Sequence, residues 1–169
     1  MAAKIKVDQI ETVDGSGTIA LQNQLSGMTG ASMPTGSVLQ VVNAQYDTAT
    51  SVTSTSNVSL GLTASITPSS TSSKVLVSMT VMIRCNGDTA CDVLLYKNSG
   101  SIFQAGNDLG DNGTSAHENL GSFTFMYLDS PSTTSSTTYT AYGRSIDGDT
   151  IVFHENSCRS TVTLMEIAG

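Results

Sequence analysis

The side chains able to do acid, base or metal chemistry are few in this sequence, and their spacing suits no common site. Histidine occurs twice, each time directly before a glutamate, as His117-Glu118 and His154-Glu155. Zinc hydrolases place two imidazoles one helical turn apart in an HExxH motif, and neither pair continues into that spacing. His154 and Cys158 stand four positions apart. They make half a zinc site at most, because such a site takes about four ligands and no other two stand out. A structural role is expected for both.

Asp108, Asp111, Asp147 and Asp149 lie in Gly-rich turns that could offer oxygens to calcium. Asp and Gly are equally the ordinary residues of turns, and in the run DLGDNG a glycine, Gly110, occupies a position where an EF-hand would carry a ligand. A carboxylate pair for glycoside hydrolysis could be drawn from Asp129, Asp147, Asp149 and Glu155, whose separations the sequence does not fix. There is no tryptophan to stack on sugars, no phosphate-binding loop and no nucleophile elbow. No catalytic or metal site is assigned, no cofactor is expected, and the chain is expected to work without turnover.

The elements that would position any such residues follow from composition. Charged residues make up 12% of the 169 positions and hydrophobic residues 38%, while Ser and Thr together number 48. Solvated helices need charged outer faces, so this balance disfavours them. Thr-rich runs punctuated by Gly favour strands and tight turns. The net charge is −7, without a basic cluster, so phosphate neutralisation cannot drive a nucleic-acid complex. No apolar run reaches the roughly 20 residues of a membrane span, and Met1 to Ile10 lacks a signal peptide's apolar core, so neither membrane insertion nor Sec export is expected. Three cysteines, Cys85, Cys91 and Cys158, are an odd number and read as reduced thiols. Cys85 and Cys91 flank the turn-rich NGDTA, so they could face each other across a hairpin and oxidise after cell lysis, but reduced thiols are the default because cytosolic disulfides are rare.

Period-two patterning carries the fold. In 57–66, Val58, Leu60, Leu62, Ala64 and Ile66 alternate with Ser, Gly and Thr, the signature of a sheet with one buried face. In 74–85, Val75, Val77, Met79, Val81 and Ile83 line one face while Leu76 and Met82 add apolar groups to the other, so this strand is expected to be covered on both sides. Further strands are expected over 37–46, 91–98, 101–105, 120–129, 137–145, 150–154 and 160–167, making nine at the spacing of a sandwich or jelly roll. Residues 107–119, NDLGDNGTSAHEN, lack strand periodicity and are expected to form a long loop. Phe123 and Phe125 are expected in the core, and the hydroxyls of Tyr139 and Tyr142 at a surface or subunit interface. The fold class is thus all-β: an antiparallel, jelly-roll-like β-sandwich.

The first 34 residues differ. Ile5, Val7 and Ile10, then Ile19 and Leu21 across the turn DGSG, outline two short strands, and two strands alone are marginal in water. A Gly-, Ser- and Met-containing connector, GMTGASMP, follows. Two regions are therefore expected: an anchoring and trimerising segment over 1–34, and a sandwich over 35–169. Pairing such strands around a threefold axis would complete them and remove exposed edges.

Five segments, KIKVDQIETVDGSGTIAL, MPTGSVLQVV, SLGLTASITPSSTSSKVLV, TFMYLDSPSTTSSTTYTAYGRS and STVTLMEIAG, occur in the same order as in the proteins they resemble, short tail-fibre and virion structural proteins of marine phages, cyanophages especially. That resemblance implies a bacteriophage virion protein, assembled in the host cytoplasm and located on the particle. Its N-terminal segment would attach to neighbouring virion proteins, and a homotrimeric jelly-roll head would project for adhesion to host polysaccharide or protein. Capsid decoration as a head fibre, and degradation of polysaccharide, are the alternative functions.

Overall fold

The computed structural model describes residues 33–86, 89–110, 118–155 and 158–169. The expected anchoring residues Ile5, Val7, Ile10, Ile19 and Leu21, with most of the 1–34 segment, lie outside the described residues, as do Asp111 and His117.

Ten strands form two antiparallel sheets. They are β1 (Val38–Tyr46), β2 (Thr50–Val52), β3 (Val58–Ile66), β4 (Lys74–Asn86), β5 (Cys91–Lys97), β6 (Gly100–Leu109), β7 (Glu118–Asp129), β8 (Thr137–Ser145), β9 (Ile151–Phe153) and β10 (Ser160–Ile167). The first sheet is organised by β4. Along one edge β4 pairs with β7 over its whole length; along the other it pairs first with β10 and then with β9. Strand β1 extends this sheet beyond β10, and β2 beyond β9. The second sheet runs β3-β8-β5-β6. The expected antiparallel sandwich is present, and no described residue lies in an α-helix.

Alternation places the apolar set of each strand between the sheets. Leu60, Leu62, Ala64 and Ile66 of β3 and Val75, Val77, Met79, Val81 and Ile83 of β4 are all buried, and they join Val93, Leu95, Tyr139, Phe153, Val162 and Leu164 in one core. Burying a side chain such as Leu62 contributes about 1.5–3 kcal/mol. Along β3 the register against β8 shifts between Ser59 and Thr63. Gly61 sits there at φ +83°, and the ring of Tyr46 occupies the space a Cβ would need.

The structure adds a short strand, β2, which the sequence reading lacks, because a three-residue strand has no periodicity to detect. It also takes Asn107 to Leu109 out of the expected loop and into β6, which pairs through Leu109 to Cys91. Strand β4 is covered by the core on its odd-numbered face only. Leu76 and Met82, on the other face, are half-buried by neighbours in the same sheet, and no second layer covers them among the described residues.

The two ends of the sandwich differ. Gly36 N–H donates to Ala168 O and Ala168 N–H donates to Ser37 O, so the chain enters the fold beside its own C-terminus. The connections β3–β4, β5–β6 and β7–β8 share that end. The described connections 47–49, 53–57 and 146–150 lie at the opposite end.

Candidate functional site

Buried titratable groups are the natural place to look for chemistry, and the fold brings the carboxylates Asp92, Asp129 and Glu166 and the imidazole of His154 inside. Each is fully engaged by the fold. His154 follows β9 in a left-handed conformation, φ +59°, and is completely buried. Its Nε2 lies 3.0 Å from Leu60 O and its Nδ1 2.5 Å from Ser160 Oγ. A carbonyl only accepts, so Nε2 carries the proton and donates to Leu60, and Nδ1 accepts from the Ser160 hydroxyl. That hydroxyl in turn accepts the Met82 N–H at 2.9 Å. The ring thus ties β3 of one sheet to β4 and β10 of the other, with Tyr46 edge-on at 5.1 Å. Burial lowers its pKa from the ordinary value despite the Leu60 bond, so it is neutral at pH 7. With both nitrogens occupied, His154 and Cys158 do not form the metal half-site their spacing allowed. Among the described residues, no group of three or more His, Cys, Asp and Glu side chains is placed to hold a metal ion.

Asp92 points outward from β5 yet is fully buried beneath its neighbours. Oδ2 accepts from Arg144 Nε and Nη2 at 2.8 and 2.6 Å and from Gln104 Nε2 at 3.2 Å, while Oδ1 accepts the Asp108 N–H at 3.1 Å. This carboxylate holds 107–109 in β6, where no side-chain periodicity announces a strand. Asp108, at φ +51° in β6, accepts from Asn107 Nδ2, and Asp147, whose Oδ1 accepts from Ser145 Oγ and Asp149 N–H, is a turn residue.

Asp129 ends β7 and accepts from Lys97 Nζ at 3.0 Å and from Tyr139 Oη at 2.7 Å, joining the two sheets. Tyr139, expected at a surface, is instead completely buried, and burial and then the Asp129 bond push its hydroxyl pKa up. Its inward parity on β8 decides this. Tyr142 points the other way and stacks on Tyr96, with centroids 3.7 Å apart. Glu166 is also completely buried. Burial alone would raise its pKa, but hydrogen bonds from Gln40 and Ser69, with the Ser73 hydroxyl nearby, outweigh burial and hold it below the ordinary carboxylate value.

Of the carboxylates considered for glycoside hydrolysis, Asp129 and Glu155 are far apart. Asp129 lies opposite Val75, and Glu155 pairs with Arg84 nine positions further along β4, a separation of about 30 Å at roughly 3.3 Å per residue. A hydrolytic pair needs less than about 10 Å. Cys85 and Cys91 meet, but not across a hairpin. They lie in different sheets, Cys85 on β4 and Cys91 on β5, with the Cys85 thiol donating to Leu109 O at 3.6 Å. The hydrogen bond to Cys85, together with burial, pushes the Cys91 thiol pKa up. Both thiols are free.

What remains on the surface is an extended apolar and hydroxyl-bearing sheet face that the sequence reading assigned to a covered strand. Val41, Leu120, Met126 and Leu128 are all more than half or half exposed there, at 57%, 54%, 61% and 50%. A modest apolar cavity opens beside it, lined by Ile83, Cys85, Leu109, Leu120 and Phe123.

No protein-family model and no curated protein matches the chain. Solved structures with a similar fold include the VP2 subviral particle of infectious bursal disease virus, at 14% identity over 76% of this chain with a TM-score of 0.44. The structure of the Gx strain of the same virus is similar at 12% identity over 77%, with a TM-score of 0.42. The chain spans 37% of the length of each of those proteins.

Proposed function

We propose that this chain is a non-enzymatic structural protein of a bacteriophage particle, a short homotrimeric surface or tail fibre that attaches through residues 1–34 and projects its sandwich outward, for adhesion to the host. The observation that carries the reading is the polarity of the sandwich. The chain enters the sandwich beside Ala168, and the described connections 47–49, 53–57 and 146–150 lie at the far end. Binding functions concentrate on loops held by a rigid scaffold.

Two further observations support it. Four of the five segments that resemble marine phage fibre proteins coincide with strands of the sheets, β1, β3 with β4, β7 with β8, and β10, while residues 4–21 lie outside the described residues. The buried carboxylates Asp92 and Asp129 and the buried His154 tie strands together through hydrogen bonds. Three heads on one stalk would gain avidity from individually weak contacts. Mass photometry of the purified full chain tests the assembly, with a trimer expected and a persistent monomer at micromolar concentration refuting it. Deletion from the phage should abolish adsorption. Normal adsorption with fragile heads would identify capsid decoration instead.

A further inference from the structure

Among the described residues nothing covers the outer face of the first sheet, and its composition is unusual for a chain of net charge −7. Across four adjacent strands the register aligns Val41 of β1 with Met165 of β10, Met165 with Leu76 of β4, and Leu76 with Leu128 of β7. Four apolar side chains therefore form one continuous row across the sheet. Next to it, Asn43, Thr163, Ser78 and Met126 form a second row, and Gln45, Thr161, Thr80 and Thr124 a third. Val38 and Ile167 flank the apolar row on the side where the chain enters. These rows contain no charged residue. Glu166 and Asp129 on these strands are buried, Lys74 and Arg84, the latter paired with Glu155, lie beyond the rows, and Arg159, paired with Asp47, donates to Gln45 at the margin.

We propose that this face packs against a second copy of the chain, bringing the three sandwiches together around the axis of the trimer. The inference rests on the homotrimeric reading above and assigns it a surface. Three features select a copy of the same chain as the occupant. Two molecules each carrying −7 repel least where their surfaces carry no carboxylate, and these rows are such a place. The apolar row lies at the end where residues 1–34 join β1, so heads gathered by that segment would meet here at high effective concentration. Four strands at about 4.8 Å spacing and about 30 Å length present roughly 600 Å² in projection, and somewhat more as corrugated accessible surface, close to the roughly 800 Å² each partner contributes to a standard interface.

The test uses the full chain bearing Val41→Glu and Leu128→Glu, two exposed positions whose replacement leaves the core untouched. A control carries Ser65→Glu on the outer face of the second sheet. Sedimentation velocity across nanomolar to micromolar concentrations should show wild type and control at three times the chain mass of 17.5 kDa. The double variant should dissociate at concentrations at least 100-fold higher, with an unchanged β-type circular dichroism spectrum. If charge at these positions unfolds the chain, the neutral pair Met126→Gln and Leu128→Gln should still weaken assembly, by about 10-fold. A double variant that folds and remains as tightly trimeric as wild type overturns the assigned face and leaves the trimer standing. A monomeric wild type overturns both.

Discussion

Acid should loosen this sandwich through His154, by an amount set by one proton. The ring is neutral in the fold, with Nε2 donating to Leu60 O and Nδ1 receiving the Ser160 hydroxyl, so a second ring proton has nowhere to go without breaking the Ser160 bond. Its pKa is lowered by burial from an ordinary 6.5. Below pH 6.5 the unfolded chain therefore binds a proton that the folded chain refuses, and stability falls as pH falls. Above pH 6.5 both states are neutral and the effect vanishes. Linkage for one group limits the loss to about 1.4 kcal/mol per pH unit, so that at most about 1.4 kcal/mol is lost between pH 7.5 and 5.5. At roughly 2–4 °C per kcal/mol for a chain of this size, the melting temperature should drop by no more than about 3–6 °C. Urea titrations at the two pH values and a fixed protein concentration measure it directly. His154→Gln should lower stability at pH 7.5 by about 1–3 kcal/mol, by disturbing a buried hydrogen-bonded network, and should lose the pH dependence over this interval. A wild type equally stable at pH 7.5 and 5.5, or a variant with the same slope as wild type, would refute the neutral, doubly bonded ring.

The other expectations rest on equally local contacts. Leu62→Ala should cost about 2–5 kcal/mol in urea unfolding, since the side chain is fully buried in the core. Asp92→Ala should cost about 2–4 kcal/mol, below the extreme for a buried ion pair because Arg144 is 39% exposed and can turn to water, and hydrogen exchange should quicken in 104–109. Gly61→Ala should destabilise by more than 1 kcal/mol, because its φ of +83° disfavours a Cβ and the Tyr46 ring fills that space. A thiol reagent should label Cys158 first in the native protein, and Cys85 and Cys91 only on unfolding, since both are buried.

Strands were legible wherever one face is buried, because period-two alternation is a direct projection of that burial. Thus β3, β8 and β10 match their sequence patterns almost residue for residue. Failures occurred where a different force sets the structure. Strand β6 runs to Leu109 because Asp92, fifteen or more positions earlier, captures a backbone N–H there, and no local pattern encodes a distant carboxylate. Cys85 and Cys91 read as hairpin partners because short sequence separation suggested one sheet, whereas the chain crosses between sheets within that separation. Tyr139 read as superficial on its hydroxyl, although its alternation with Thr137 and Ala141 already pointed it inward. Its Asp129 partner, which resolves the conflict, comes from the neighbouring strand ten positions away. Leu76 and Met82 showed correctly that the second face of β4 is apolar, and the error was to conclude that the same sandwich covers it.

The ionisable groups also decide where the fold is sensitive to acid. Two inter-sheet ties stand at opposite ends of the sandwich, His154 with Leu60 at the loop-rich end and Asp129 with Lys97 and Tyr139 at the tethered end. Glu166 adds a third polar tie at the tethered end, where its lowered pKa contributes stability that is present above the unfolded value and lost as pH falls through the folded one. His154 and Glu166 therefore weaken the fold in the same direction, but in separate windows, the first just below pH 6.5 and the second below about pH 4.5. The loop-rich end should loosen first, while the end that receives the chain, and the apolar row beside it, keeps its order. Hydrogen exchange followed from pH 7 to 5 should accordingly quicken at 58–61, 82–85 and 160–162 before it changes at 39–41, 74–77 and 164–167, and the reverse order would contradict the placement of these ties.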